Sequence, residues 1–138
     1  MKKFIFLPHT ADVKFQAYGK TLEESFKNSA LATAKAMFKG KVKEKKRKKI
    51  KAKGNDFENL LYNFLDEIVY LFDAENFLLS QVKKMKINNK QGFKLEAELI
   101  GDNSENYDIN EHVKSVTYHD MFVKKEKNKY VVQVVLDV

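Results

Sequence analysis

Few side chains in this sequence are able to bind a cation, move a proton or attack a substrate, and they are thinly spread. There are three histidines, His9, His112 and His119, and no cysteine. The missing cysteine excludes disulfides, thiolate metal sites and cysteine nucleophiles. A serine nucleophile would have to be Ser25, Ser29, Ser80, Ser104 or Ser115, and none lies in a supporting local motif. Glycine-rich phosphate loops, GxSxG turns, HExxH helices and Cys/His zinc spacings are all absent.

Three places still stand out. The turn His9-Thr10-Ala11-Asp12 sits between two apolar-faced strands. The segment Lys114-Ser115-Val116-Thr117-Tyr118-His119 puts Lys, Thr and His into an otherwise apolar strand. Asp137 interrupts a run of valine and leucine that holds one other polar residue, Gln133, and Asp is depleted in strands. Each place has a plain reading too. His9 and Asp12 are suited to capping a turn. His119 is suited to a hydrogen-bonded strand position, and Asp137 to a frayed end facing water.

The elements that must position these residues follow from periodicity. Lys3 to Leu7 reads as a short strand. Val13, Phe15 and Ala17 alternate with polar neighbours as a second strand ending at Gly19. Thr21 and Glu24 form a capping box for a helix with Leu22, Phe26, Ala30, Ala34 and Met37 on one face, stopping near Gly40. Asp56 opens a second helix whose residues Phe57, Leu60, Leu61, Phe64, Leu65, Ile68, Leu71 and Phe72 make a wide apolar stripe. That stripe reads as core, not as a ligand pocket. Phe77 to Ile87 reads as a strand with a bulge, followed by a turn over Asn88 to Gly92 and a strand containing Leu95, Ala97 and Leu99. Gly101 to Asn110 reads as a polar loop. Lys114 to Val123 and Tyr130 to Val138 read as two last strands joined by a turn. The order β-β-α-β-α-β-β-β-β predicts a single α+β domain over 1–138, with two helices on one face of a mostly antiparallel sheet.

Charge is uneven. Residues 39 to 53 hold ten basic residues and one acid, Glu44, while the whole chain is +7, so the remainder is slightly acidic. Every odd position from 39 to 53 is Lys or Arg, and Val42, Ile50 and Ala52 occupy even ones. Such a patch can steer nucleic acid or an acidic partner; it equally suits a solvated strand edge that resists aggregation. No apolar run approaches the roughly 20 residues of a membrane span, and Pro8, His9 and Asp12 follow too soon for a signal peptide. With no cysteine, a cytoplasmic home is expected.

The motifs His9-Thr-Ala-Asp12, Ala17-Tyr-Gly-Lys-Thr-Leu-Glu-Glu24, Phe64-Leu-Asp-Glu-Ile-Val-Tyr-Leu71, Lys114-Ser-Val-Thr-Tyr-His119 and Leu136-Asp137-Val138 occur in that order. Together they resemble the archease family from residue 9 to the last. The loop between Gly101 and Lys114 is compact for that family. The basic segment is heavier than its pattern requires and receives no family role.

The resemblance implies an accessory protein, not an enzyme, that activates the tRNA-splicing RNA ligase by promoting its guanylylation and multiple turnover. It implies a divalent cation held by Asp12, Asp137 and the main chain of Val138, with Ca²⁺ ahead of Mg²⁺ or Mn²⁺. Lys114 matches the family's functional lysine, with His9 and His119 in support. A hard-oxygen donor set of this kind suits those ions better than zinc. Two other readings compete. One is a stand-alone RNA-binding module using residues 39–53, which contain no aromatic residue for base stacking. The other is a small metal-dependent phosphohydrolase built on Asp12, Asp137 and His119, for which no general base can be assembled. Contact with RNA is expected to be weak or indirect, and no membrane contact is expected.

Overall fold

The computed structural model describes residues 1–138. Its elements are β1 (Phe4–Leu7), β2 (Val13–Gly19), α1 (Leu22–Met37), β3 (Lys46–Gly54), α2 (Phe57–Glu75), β4 (Phe77–Asn88), β5 (Phe93–Asn103), β6 (Ser115–Glu126) and β7 (Lys129–Asp137). This is the predicted order of an α+β chain. All the strand pairs are antiparallel, but they divide into two sheets, β1-β2-β7-β6 and β3-β5-β4. Alternation along a strand fixes which side chains share a face, not which strand lies beside it, so the division was not readable from pattern alone.

Local chemistry sets the helix starts. The Thr21 hydroxyl accepts from the Glu24 amide at 3.1 Å, and the Glu24 carboxylate accepts from the Lys20 amide at 3.2 Å, a capping box whose return arm reaches the residue before the cap. Asp56 caps α2 by accepting from the Asn59 amide at 2.7 Å. At its other end α2 stops in a left-handed residue, Asn76, whose amide bonds back to Leu71.

Each helix touches both sheets. α1 lies mainly on β2 and β4, and α2 on β3 and β6. Their apolar faces join one core of 31 buried residues drawn from both sheets and both helices, with Phe15, Phe26, Phe64, Leu60, Leu65 and Leu99 fully buried. Burial of one such side chain stabilises by roughly 1.5–3 kcal/mol. The core thereby fixes the two sheets against each other and holds the strand ends that carry the polar motifs.

Two boundaries differ from the sequence expectation. The stretch expected as a loop from Gly101 begins as strand, since β5 runs to Asn103. A Cβ at Gly101 would lie 2.0 Å from the Leu78 carbonyl oxygen, so this close strand approach requires glycine. α1 ends at Met37 and not near Gly40, because Phe38 turns to extended geometry. As the alternation predicts, the basic segment forms a strand in which Ile50 and Ala52 are buried and most lysines exposed.

Candidate functional site

The three polar places singled out in the sequence meet at one end of the four-stranded sheet. Between β1 and β2 the chain reverses over residues 8–12 and ends on a three-residue turn: the Asp12 amide donates to the Thr10 carbonyl at 2.8 Å, and Ala11 takes a φ of 67°. That is a γ-type turn with a non-glycine residue in the left-handed region, an uncommon and strained choice. β2 then pairs with β7, beginning at Val13 opposite Leu136. One residue beyond this rung on either strand stand Asp12 and Asp137. β6 joins from the other side of β7. Ser115 pairs with Asp137, and the Lys114 amide donates to the Asp137 carbonyl at 2.8 Å. Residues more than a hundred positions apart therefore share one strand-end cluster. Lys114 comes just before β6 and not within it, and both it and Asp137 are exposed. Asp12 is half-buried and lines a cleft with Lys35, Lys39, Asn110 and Glu111. Val138 is half-buried against the core.

His9 and His119 lie beside this cluster. A bulge in β6 shifts the register between Thr117, opposite Val135, and Phe122, opposite Gln133. The residues looped out include His119 and Asp120, and Asp120 takes a φ of 54°. The bulge carries His119 to His9, with ring centroids 6.1 Å apart at 73°. His9 Nδ1 is 3.8 Å from Asp12 Oδ2, and His119 Nε2 is 3.4 Å from Asp120 Oδ2. The Lys14 ammonium stands 3.5 Å from the same Asp120 oxygen.

A row of side-chain hydrogen bonds holds the bulge in place. Tyr18 donates to Gln16 Oε1 at 2.9 Å, Gln16 donates to Gln133 Oε1 at 2.9 Å, and Gln133 donates to the Asp120 carbonyl at 2.8 Å. Burial, and after it the charge of Glu126, raises the Tyr18 phenol above its ordinary value, keeping it a donor. Sequence reasoning passed over Lys14, Gln16, Asp120 and Gln133. The one available signal was Gln133, the lone amide among valines, which is buried and fully committed to this row.

Other candidates are spent elsewhere. His112 packs edge-on against Phe72, with centroids 5.5 Å apart. The hydroxyls of Ser25, Ser29 and Ser80 donate to the carbonyls of Leu22, Phe26 and Val42. Asp102, expected in a loop, is instead buried at the end of β5. It accepts from the Tyr107 hydroxyl at 2.8 Å, and chiefly that bond, aided by the Asn103 amide, holds its carboxyl below the ordinary carboxylate value. The Tyr107 hydroxyl also accepts from the Lys43 amide at 2.9 Å. These bonds tie the basic segment to the 107–114 loop and are structural.

The strand-end cluster offers two carboxylates, main-chain oxygens and one free ammonium. Carboxylates on neighbouring positions repel unless a cation or lysine stands between them. An all-oxygen donor set of this kind fits a hard divalent cation. No side chain in the cluster is an activated nucleophile; Lys114 and Asp137 are exposed and available to another molecule, with Asp12 half-buried in the adjoining cleft.

Comparison with known proteins gives a consistent result. The family model described as the Archease protein family matches residues 4–138. The chain is similar to Protein archease of Pyrobaculum calidifontis, 39% identical over 137 residues that cover 94% of this chain and 91% of the relative. Its fold is similar to the solution structure of Methanobacterium thermoautotrophicum protein 1598, with a TM-score of 0.85 and 34% identity over the whole of both chains. The crystal structure described as an archease, possible chaperone, from Thermotoga maritima matches with a TM-score of 0.63, covering 96% of this chain and 94% of that one. At 14% identity this last likeness is one of fold.

Proposed function

The chain belongs to the archease family, and from that premise we propose that it is the activator of a tRNA-splicing RNA ligase. It is an accessory protein, not an enzyme. In this reading it promotes guanylylation of the ligase and repeated turnover, and it does so through the exposed strand-end cluster. The observation that carries the reading is the convergence of Asp12, Lys114 and Asp137 at one sheet end, from three distant parts of the sequence.

Asp12, Asp137 and the main chain of Val138 are the residues that would hold a divalent cation, with Ca²⁺ ahead of Mg²⁺ or Mn²⁺ as the family resemblance implies; oxygen donors suit all three. Such an ion, when bound, supplies positive charge to phosphate oxygens. The chain's own residues do the rest. The γ-type turn fixes Asp12, and the β7 ladder fixes Asp137. Lys114 is anchored through its amide, which leaves the ammonium free to reach an anionic group on the partner. A charge already in position when a phosphoryl group is transferred lowers the barrier without reorganising.

The test is ligase guanylylation and turnover with and without this protein, then with Lys114→Ala. The variant is expected to fold normally, because an exposed lysine contributes little to stability. Loss of one positioned donor predicts a guanylylation rate lower by about a hundred- to a thousandfold at saturating protein. Normal acceleration by Lys114→Ala would remove the residue from the mechanism. A variant that merely fails to bind the ligase would make it an interface contact.

A further inference from the structure

We propose that His9, His119 and Asp120 form a second cation site, separate in chemistry from the all-oxygen cluster and suited to a borderline divalent ion such as Zn²⁺. Each of the three residues offers one ligand atom, and these atoms all lie within 4.8 Å of one another. Two imidazoles and a carboxylate are the donor set that zinc and its neighbours prefer, whereas Ca²⁺ takes oxygen. Zinc bonds nitrogen at about 2.0–2.1 Å, so the three groups must draw in slightly. His119 is free to do that, since its side chain is 65% exposed.

Two further observations favour a built site over a chance cluster. His9 Nδ1 is fully buried and has no hydrogen-bond partner within the protein. Buried ring nitrogens without partners are costly to keep. Asp12 Oδ2 lies only 3.8 Å from that nitrogen. A small closure therefore makes Asp12 either a further donor or the carboxylate that orients a ligating His9. Second, His119 and Asp120 reach His9 only because β6 bulges, and a buried glutamine is committed to fixing that bulge through the Asp120 carbonyl. The Lys14 ammonium stands 3.5 Å from one oxygen of Asp120, and an incoming cation would have to displace it.

The site does not depend on the ligase reading. Asp12 is the only residue common to the two sites, which makes His119 and Asp137 the discriminating positions. The experiment is equilibrium dialysis of the full chain with Zn²⁺ alone, with Co²⁺ as a coloured substitute that reports ligand geometry. Wild type is expected to take up one equivalent that survives excess Ca²⁺. His119→Ala should weaken zinc binding by at least about tenfold and bleach the Co²⁺ bands, with unchanged thermal unfolding. Asp120→Asn, which tolerates the left-handed backbone, should weaken it similarly. Asp137→Asn should leave the zinc affinity within about threefold of wild type. The proposal is overturned if wild type takes up no zinc. It is also overturned if His119→Ala binds as wild type does, or if Asp137→Asn abolishes zinc binding while His119→Ala spares it.

Discussion

The two sheets use charge in opposite ways. On the three-stranded sheet, the basic residues at odd positions of β3 obey the alternation and are exposed. Three basic residues of β3 meet acids on neighbouring elements: Arg47 with Glu98 at 2.6 Å, Lys51 with Glu96 at 3.7 Å and the half-buried Lys48 with Glu75 at 2.6 Å. On the four-stranded sheet, the polar residues of interest sit where the pattern breaks, in a γ-type turn, at strand ends and in a bulge. The first region has far more charge, yet each charge is dispersed, solvated or paired. The second has few charges, but they converge. Convergence, not abundance, distinguishes a candidate site from a soluble surface.

The largest test of that contrast replaces Asp137 or Asp12 with Ala. If these residues hold the proposed cation, their removal should lower Ca²⁺ affinity, measured by calorimetric titration, by more than about a hundredfold, beyond the usual cost of losing an outer partner. Lys49→Gln with Lys51→Gln should leave it unchanged. If the lysine changes were as damaging as the aspartate ones, the two regions would not be functionally distinct.

Gln133→Leu sharpens the comparison from within the four-stranded sheet. It removes the bond to the Asp120 carbonyl and leaves that group and the Gln16 side-chain nitrogen without partners. The expected loss is about 1–3 kcal/mol, read from urea unfolding. The same substitution should also free the bulge, visible as faster amide exchange over residues 118–121. A stable variant with a rigid bulge would show that the glutamine row does not position His119.

At the end of the three-stranded sheet, Asp102 supplies the acid dependence. Its carboxyl is lowered in the folded chain, first by the Tyr107 hydroxyl. Stability from this source is therefore complete above the ordinary value of 3.8 and is lost as pH falls below it through the lowered value. Asp102→Asn should flatten the acid limb of the stability curve without changing cation binding.

The smallest effect belongs to the lysines. Converting Lys45, Lys46, Lys48 and Lys49 to Gln should change stability by about 0.5 kcal/mol or less, since exposed ion pairs contribute little. If these residues steer the chain toward an RNA-bound partner, association should weaken and its dependence on salt should flatten. An unchanged salt slope would leave them as a solvated face.

Much of this was legible before any coordinate. Thr21 and Asp56 announced the helix starts because caps are local hydrogen bonds made within four residues. The α2 stripe announced burial because 3.6-residue periodicity leaves no other use for eight large apolar side chains. His9, Asp12, Lys114, His119 and Asp137 stood out because polar groups are expensive in apolar strands. The extent of β5 was misread because Gly101, Asp102 and Asn103 carry turn chemistry, and strand pairing overrode it.

What the sequence by itself determined, then, is the order of elements, the composition of the core and the short set of residues able to bind a cation. Those properties depend on neighbours a few positions away, and the chain records them directly. Only the tertiary structure decided that there are two sheets, that Asp12 stands beside Asp137, that a bulge delivers His119 and Asp120 to His9, and that Gln16 and Gln133 hold that bulge. The decisive contacts join distant segments, Asp12 to Asp137, His9 to His119 and Gln16 to Gln133, though the bulge itself lies within one hairpin. Their register is chosen by the packing of whole faces against a shared core, a global balance that no local pattern encodes.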